Sequence, residues 1–122
     1  AERETAFSDP KLKLKIALGY GGRADIIKAT KLISNDIQLG LVSVEDISDE
    51  TIFRYLQAPI NELDLLIRTG GDHRISNFLL YHLAYTEIHF SDTLWPDFTA
   101  KEFTKCLEVF SKTERRFGKR AI

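Results

Sequence analysis

The sequence has little that would mark a disulfide-linked, nucleic-acid-binding or membrane-spanning protein. A single cysteine, Cys106, excludes an intramolecular disulfide and fits a reducing compartment. The 17 basic and 18 acidic residues nearly cancel, so no broad positive field points to nucleic acid. No apolar run is long enough to span a bilayer, and the polar segment 1–10 is not expected to be a signal peptide. We therefore expect a cytoplasmic protein in which any anion binding comes from local geometry.

The first half of the sequence contains alternating strand and helix patterns, over a length that suits one domain. Apolar residues alternate along 11–18, which predicts a strand. Isoleucines recur at helical spacing within 26–40, and a glycine closes that predicted helix. Ser48 is a good N-cap for a short helix at 48–56, which Pro59 is expected to stop.

The second half continues the alternation. A short apolar run predicts a buried strand at 63–67, a helix is expected to begin near Ser76, and 87–90 reads as a brief strand. Thr99 and Glu102 have the spacing of a capping box for the last helix. The residues expected to be buried on that helix are Phe103, Cys106, Leu107 and Phe110, and Gly118 is expected to end it.

This order of elements predicts an α/β fold with a mainly parallel sheet flanked by helices. In such sheets, ligands bind beyond the carboxyl ends of the strands. The predicted strands at 11–18 and 63–67 both run into turns that contain Gly-Gly. We therefore expect the functional site at these turns.

The turn after the second of these strands has side chains that suit a diphosphate. Its sequence at 68–77 is Arg-Thr-Gly-Gly-Asp-His-Arg-Ile-Ser-Asn. Arg68 and Arg74 carry planar guanidinium groups that can bind phosphate oxygens two at a time. Because both arginines flank one tight turn, both can face the same ligand.

The backbone of the turn also suits an anion. Gly70 and Gly71 would let the chain come close and turn its N–H groups inward. Ser76 stands at the predicted start of a helix, where free N–H groups and the helix dipole favour anions. The alternative is an ordinary connection in which the arginines pair with Asp64 or Asp72, and the residues alone leave both interpretations open.

Five blocks of residues, spread over nearly the whole chain, carry a resemblance to a known family. They are Tyr-Gly-Gly-Arg at 20–23, the block at 68–80, Leu-Ala-Tyr-Thr-Glu at 83–87, Leu-Trp-Pro-Asp-Phe at 94–98 and Glu-Arg-Arg-Phe-Gly at 114–118. In this order they resemble the C-terminal half of cis-prenyltransferases of the undecaprenyl diphosphate synthase type. The resemblance implies that 1–122 form the C-terminal portion of a single cis-prenyltransferase domain.

The resemblance implies a transferase of isoprenoid metabolism. Such enzymes condense isopentenyl diphosphate with an allylic diphosphate, here farnesyl diphosphate, to give a polyprenyl (undecaprenyl) diphosphate for a cell wall lipid carrier. The allylic diphosphate leaves, the double bond of isopentenyl diphosphate attacks the resulting cation, and no protein nucleophile is required. The enzyme must position two diphosphates and neutralise the leaving group. Since the product is a membrane lipid, peripheral contact with the membrane is left open.

The resemblance also assigns substrate-binding residues. Arg68, Arg74 and Ser76 match the residues that hold the diphosphate of isopentenyl diphosphate. Arg116 and Gly118 match a C-terminal Arg-x-Gly element that reaches into the partner subunit's active site, which implies a homodimer. The basic residues there could instead favour the dipole of the last helix. The substrate-binding block also contains Gly70, Gly71 and Ile75.

Mg²⁺ is the cofactor that the resemblance implies. Glu87 matches a carboxylate that helps bind it, and Asp72 and His73 occupy further candidate positions. Mg²⁺ suits the reaction because it prefers oxygen ligands and bridges phosphates with few carboxylates. Glu87 could instead be an exposed acid, and His82 and His89 are interpreted as packing or surface residues.

The sequence departs from the family in one large respect. It contains no counterpart of the family's N-terminal block, which carries the catalytic aspartate. We therefore expect the 122 residues alone to lack prenyltransferase activity. Alternative functions are a non-catalytic binding or regulatory subunit of a prenyltransferase dimer, and an unrelated phosphate-binding module.

Overall fold

The structure, a computed structural model, describes residues 11–58, 60 and 62–114. The elements in chain order are α1 (Gly22–Gln38), α2 (Asp49–Tyr55), β1 (Leu65–Arg68), β2 (Glu87–Phe90) and α3 (Ala100–Lys112). Short 3-10 helices cover Val44–Asp46 and Trp95–Asp97. Pro59 and Gly118, which were expected to end helices, lie outside the described residues.

β1 and β2 form a parallel pair, which confirms the predicted α/β class. The register joins Leu65 to Glu87 at one end and Arg68 to Phe90 at the other. Strands rise about 3.3 Å per residue, so these two ends are about 10 Å apart. The sheet therefore has a carboxyl edge that carries Arg68 and an amino edge that carries Glu87.

The predicted strand at 11–18 is wrong, because the structure shows no regular element there. A strand needs a hydrogen-bonded neighbour and a buried face to be stable. Within the described part of the chain, the sheet consists of β1 and β2 alone, so 11–18 has no such neighbour. Its alternating apolar side chains are 74–88% exposed; they are Leu12, Leu14, Ile16 and Leu18.

The helix predicted to begin near Ser76 is also wrong. Ser76, Asn77 and Leu79 have φ values of 46°, 64° and 45°, whereas a right-handed helix requires negative φ. Residues 76–85 form bends and turns instead. The chain leaves the helical path because Asn77 makes hydrogen bonds to a distant part of the fold, as described below.

The other predicted helices are present with their predicted caps. The Ser48 side chain accepts a hydrogen bond from Thr51 N at the start of α2. Thr99 and Glu102 form the predicted capping box of α3. α1 ends two residues before Gly40, whose φ of 71° suits a residue without a side chain.

α3 buries less than the sequence predicted. Cys106 is buried, as expected, but Phe103 and Leu107 are 46% and 41% exposed, and Phe110 is half-buried. α3 packs only sparsely on the other described helices and strands, so most of its apolar face meets no partner among them. The prediction that Phe103 and Leu107 are buried is therefore wrong for the described part of the chain.

The core lies where α1, α2 and the turns after Ser76 meet. Its buried apolar side chains on these elements are Ala29, Ile33, Leu56 and Leu79. His82 is also buried, with Nε2 at 2.9 Å from the Ala58 carbonyl oxygen and its ring beside Phe53, which fits the predicted packing role. His89 is half-buried on β2.

A buried carboxylate joins the start of α1 to the end of α2. Asp25 is completely buried, and its two oxygens accept hydrogen bonds from the Tyr20 hydroxyl at 2.8 Å and from Gln57 N at 2.9 Å. Burial of the Tyr20 phenol, and then the adjacent Asp25 carboxylate, raise the pKa of Tyr20 well above its usual value. Tyr20 therefore stays neutral and keeps donating to Asp25.

Candidate functional site

Arg68, the last residue of β1, organises the turn that follows it. Its Nη1 donates to the Arg74 carbonyl oxygen at 2.6 Å and to Ser76 Oγ at 2.8 Å. Its Nη2 lies 3.0 Å from Asp72 Oδ2. One guanidinium therefore bonds to three residues of the turn, which fixes the shape of the turn.

Arg74 reaches the same carboxylate oxygen, because its Nη2 lies 2.6 Å from Asp72 Oδ2. The pairing with Asp72 that the sequence left open is thus present. Two cations around one carboxylate leave a net positive charge, and the Arg74 and Asp72 side chains are 65% and 44% exposed. Exposed ion pairs contribute little stability, so a competing anion can displace Asp72 at small cost. The structure therefore brings Arg68, Arg74 and Ser76 together around one small volume.

Gly70 and Gly71 shape the turn but do not offer free donors to a ligand. Their φ values of 92° and 78° are ones that other residues rarely adopt. Gly70 N donates to the Thr93 carbonyl oxygen at 2.9 Å, and Gly71 N donates to that of Ser91 at 3.0 Å. The expectation that these N–H groups face a ligand is therefore wrong. They instead attach the turn to the loop after β2.

Ser76 contributes its hydroxyl rather than a helix N-terminus. With no helix starting there, the predicted support from helix N–H groups and dipole is absent. The neighbouring Ile75 is half-buried, and its carbonyl oxygen accepts from Phe78 N at 3.1 Å. The Ser76 hydroxyl lies beside the Arg68 guanidinium, which donates to it at 2.8 Å.

The three candidate metal ligands are not assembled into one site. Asp72 is engaged by two arginines, and the His73 ring stacks on Phe90 with centroids 4.8 Å apart. Glu87 lies at the amino edge of the sheet, about 10 Å along the strands from the edge that precedes Asp72. Across residues 11–58, 60 and 62–114, no group of three or more His, Cys, Asp or Glu side chains could hold a metal ion. Within the described residues, Asp72, His73 and Glu87 therefore do not form one shared metal site.

Asn77 is a site neighbour that the sequence analysis missed. Its carbonyl oxygen accepts from Gly22 N at 2.7 Å, and its Oδ1 accepts from Arg23 N at 2.9 Å. The contact is close: a Cβ on Gly22 would lie 2.8 Å from Leu80 Cγ. The sequence offered one hint of this break in the predicted helix: asparagine tolerates positive φ better than most residues, and one stands next to the turn.

A groove of about 370 Å³ lies near the carboxyl end of β1. Side chains alternate along a strand, so Ile67, which lines the groove, points to the opposite face from Arg68. The groove is therefore separate from the arginine cluster. The other two predicted substrate-binding residues, Arg116 and Gly118, lie outside the described residues. The lining residues are Ile67, Thr69, Trp95, Phe98, Thr99, Ala100 and Phe103.

Comparison with known proteins identifies the family. The family model described as "Putative undecaprenyl diphosphate synthase" matches residues 1–118. The chain belongs to the undecaprenyl diphosphate synthase family. It is 49% identical over 122 residues to a ditrans,polycis-undecaprenyl-diphosphate synthase, (2E,6E)-farnesyl-diphosphate specific, of Acinetobacter baylyi, covering 98% of this chain and 48% of that protein. It is also 49% identical over 115 residues to a chloroplastic nerylneryl diphosphate synthase of Solanum lycopersicum, covering 94% and 37%.

Solved structures of prenyl diphosphate synthases share the fold. Lavandulyl diphosphate synthase from Lavandula x intermedia, in complex with dimethylallyl diphosphate, matches with a TM-score of 0.79 and 34% identity, over 84% of this chain and 44% of that one. A probable undecaprenyl diphosphate synthase from Campylobacter jejuni matches with a TM-score of 0.69 and 38% identity, over 84% and 45%. The chain thus spans less than half the length of these relatives.

The described part of the chain contains no helix with the length and apolar character needed to cross a membrane.

Proposed function

We propose that this chain carries the isopentenyl diphosphate site of a cis-prenyltransferase that extends an allylic diphosphate, farnesyl diphosphate, to undecaprenyl diphosphate. The observation that carries the proposal is the convergence of Arg68 and Arg74 on a single oxygen of Asp72, with the Ser76 hydroxyl beside them. The name of the Acinetobacter baylyi relative supports the reaction. The chain covers 48% of that relative. On the resemblance of its motifs, we interpret 1–122 as the C-terminal portion of a single domain.

The proposed binding step replaces one anion by another. The Asp72 carboxylate occupies the place that oxygens of the substrate diphosphate would take between the two arginines. Arg68 is already held by the Arg74 carbonyl oxygen and Ser76 Oγ, so it needs little reorganisation. Arg74, the more exposed arginine, would exchange its bond to Asp72 for a bond to the ligand. The task of this chain is therefore to position the attacking substrate.

Mg²⁺ remains the proposed cofactor of the complete enzyme, with Asp72, His73 and Glu87 as predicted contacts. Because the described residues do not assemble a metal site, the chain's proposed role rests on its arginines and on Ser76. Mg²⁺ bound mainly by substrate oxygens would need only one or two protein carboxylates. The predicted homodimer, with Arg116 and Gly118 reaching the partner's site, is likewise a proposal.

Calorimetric titration with isopentenyl diphosphate tests the site. We expect the wild-type chain to bind and Arg74→Ala to bind about 30-fold more weakly, since loss of one charged donor from a diphosphate site costs about 2 kcal/mol. Arg54→Ala, which removes an exposed arginine on α2, is the matched control and should bind like wild type. Absence of binding by the wild-type chain would refute the site assignment.

Binding without turnover is the second expected result. Incubation of the chain with farnesyl diphosphate, labelled isopentenyl diphosphate and Mg²⁺ should give no labelled polyprenyl diphosphate above the level of an Arg68→Ala control. The reason is that the sequence contains no counterpart of the family's block with the catalytic aspartate. Product that forms with the wild-type chain but not with the control would show that the 122 residues suffice for catalysis.

A further inference from the structure

The backbone beside the arginine cluster is held in an unfavourable conformation. Ser76 and Asn77 have φ values of 46° and 64°, and a left-handed conformation is costly for residues other than glycine, although asparagine tolerates it better than most. Such residues persist only where the surrounding structure holds them. Ser76 is also the residue whose hydroxyl faces Arg68, at 2.8 Å. The contacts that hold Ser76 and Asn77 in this conformation therefore also position part of the proposed diphosphate site.

The start of α1 supplies the restraint. Gly21, the N-cap of α1, has no side chain with which to bond the first N–H groups of the helix. Asn77, which lies 54 positions after Arg23, supplies the acceptors instead: its carbonyl oxygen accepts from Gly22 N and its Oδ1 accepts from Arg23 N. Helix N-terminal donors need such partners, so the two bonds favour one position of Asn77.

The fit between the two segments is tight as well as hydrogen-bonded. A Cβ on Gly22 would lie 3.0 Å from Leu80 N and 3.1 Å from the Asn77 carbonyl oxygen. Glycine at this position therefore lets the backbone of 77–80 lie directly on α1. An unbroken chain of contacts runs from Arg23 N through Asn77 and Ser76 to the Arg68 guanidinium.

We propose that Asn77 is a positioning residue for the diphosphate site. It acts through Ser76 and Arg68, by anchoring the turn to the N-terminus of α1, and it does not itself touch the substrate. This inference rests on the proposed function of the turn. It adds that the affinity for isopentenyl diphosphate depends on the junction between α1 and 77–80.

The test compares Asn77→Gly with Ala29→Gly. Asn77→Gly tolerates the positive φ and keeps the backbone bond to Gly22 N, but it removes the Oδ1 acceptor of Arg23 N. Ala29→Gly weakens α1 from its buried interior without changing Asn77. We expect both variants to melt at lower temperature than wild type. Asn77→Gly alone should also lower the affinity for isopentenyl diphosphate, by about fivefold or more.

A second variant changes the α1 side of the junction between α1 and 77–80. Gly22→Ala should push 77–80 away and lower the affinity in the same way, which keeps the test decisive if Asn77→Gly does not fold. Two results would overturn the positioning role while leaving the proposed function intact, provided that wild type binds. One is a wild-type affinity for isopentenyl diphosphate in Asn77→Gly, and the other is the same affinity in Asn77→Gly as in Ala29→Gly. No binding by wild type would instead remove the proposed function and this inference with it.

Discussion

Arg68→Ala is expected to weaken isopentenyl diphosphate binding by about 150-fold, which corresponds to about 3 kcal/mol. The loss should exceed that of Arg74→Ala because Arg68 has two tasks. It provides one of the two charged groups, and it holds the Arg74 carbonyl oxygen and Ser76 Oγ in place. Without it, the remaining groups lose their common orientation as well as half of the positive charge.

Arg68→Lys separates charge from geometry. Lysine keeps the charge, but its single ammonium group cannot reproduce the fork that reaches Asp72, Arg74 and Ser76 together. We expect an affinity between those of wild type and Arg68→Ala, measured by the same titration. A lysine variant that binds as tightly as wild type would show that charge alone is needed, and far-UV circular dichroism would confirm that each variant is folded.

The proximity of Arg68 and Arg74 was predictable because it depends on local chemistry. Both arginines flank one tight turn that contains Gly-Gly, which favours their meeting. The structure confirms this proximity for Arg68 and Arg74. The caps at Ser48 and Thr99 were predictable for the same reason, since each involves residues only three positions apart.

The errors concern features that distant residues decide. The helical pattern after Ser76 is overridden by the bonds of Asn77 to Gly22 and Arg23, which no local pattern reveals. The alternation at 11–18 predicts a strand, but a strand also needs a neighbour to pair with. The Gly70 and Gly71 N–H groups face the loop after β2 because they donate to the Thr93 and Ser91 carbonyl oxygens, which lie much later in the sequence.

The largest expected effect on stability comes from the buried carboxylate of α1. Asp25→Ala would leave the Tyr20 hydroxyl and Gln57 N without their acceptor and would open a small cavity around them. Buried polar groups that lose their partners are costly, so we expect the free energy of unfolding to fall by about 3 kcal/mol. Urea denaturation followed by circular dichroism measures this loss.

Two milder variants show whether the hydrogen bonds account for the loss. Asp25→Asn keeps an oxygen that can accept from Gln57 N, and its amide can donate to the Tyr20 oxygen, so the loss should be about 1 kcal/mol. Tyr20→Phe removes one partner and leaves the bond to Gln57 N, with a similar expected loss. If Asp25→Asn were as unstable as Asp25→Ala, the negative charge rather than the hydrogen bonds would be the stabilising feature. Asp25 lies in the first turn of α1, beside the Gly22 and Arg23 N–H groups that bind Asn77, whereas Ala29 lies in the helix interior. We therefore expect isopentenyl diphosphate affinity to fall in Asp25→Ala and to be largely retained in Asp25→Asn.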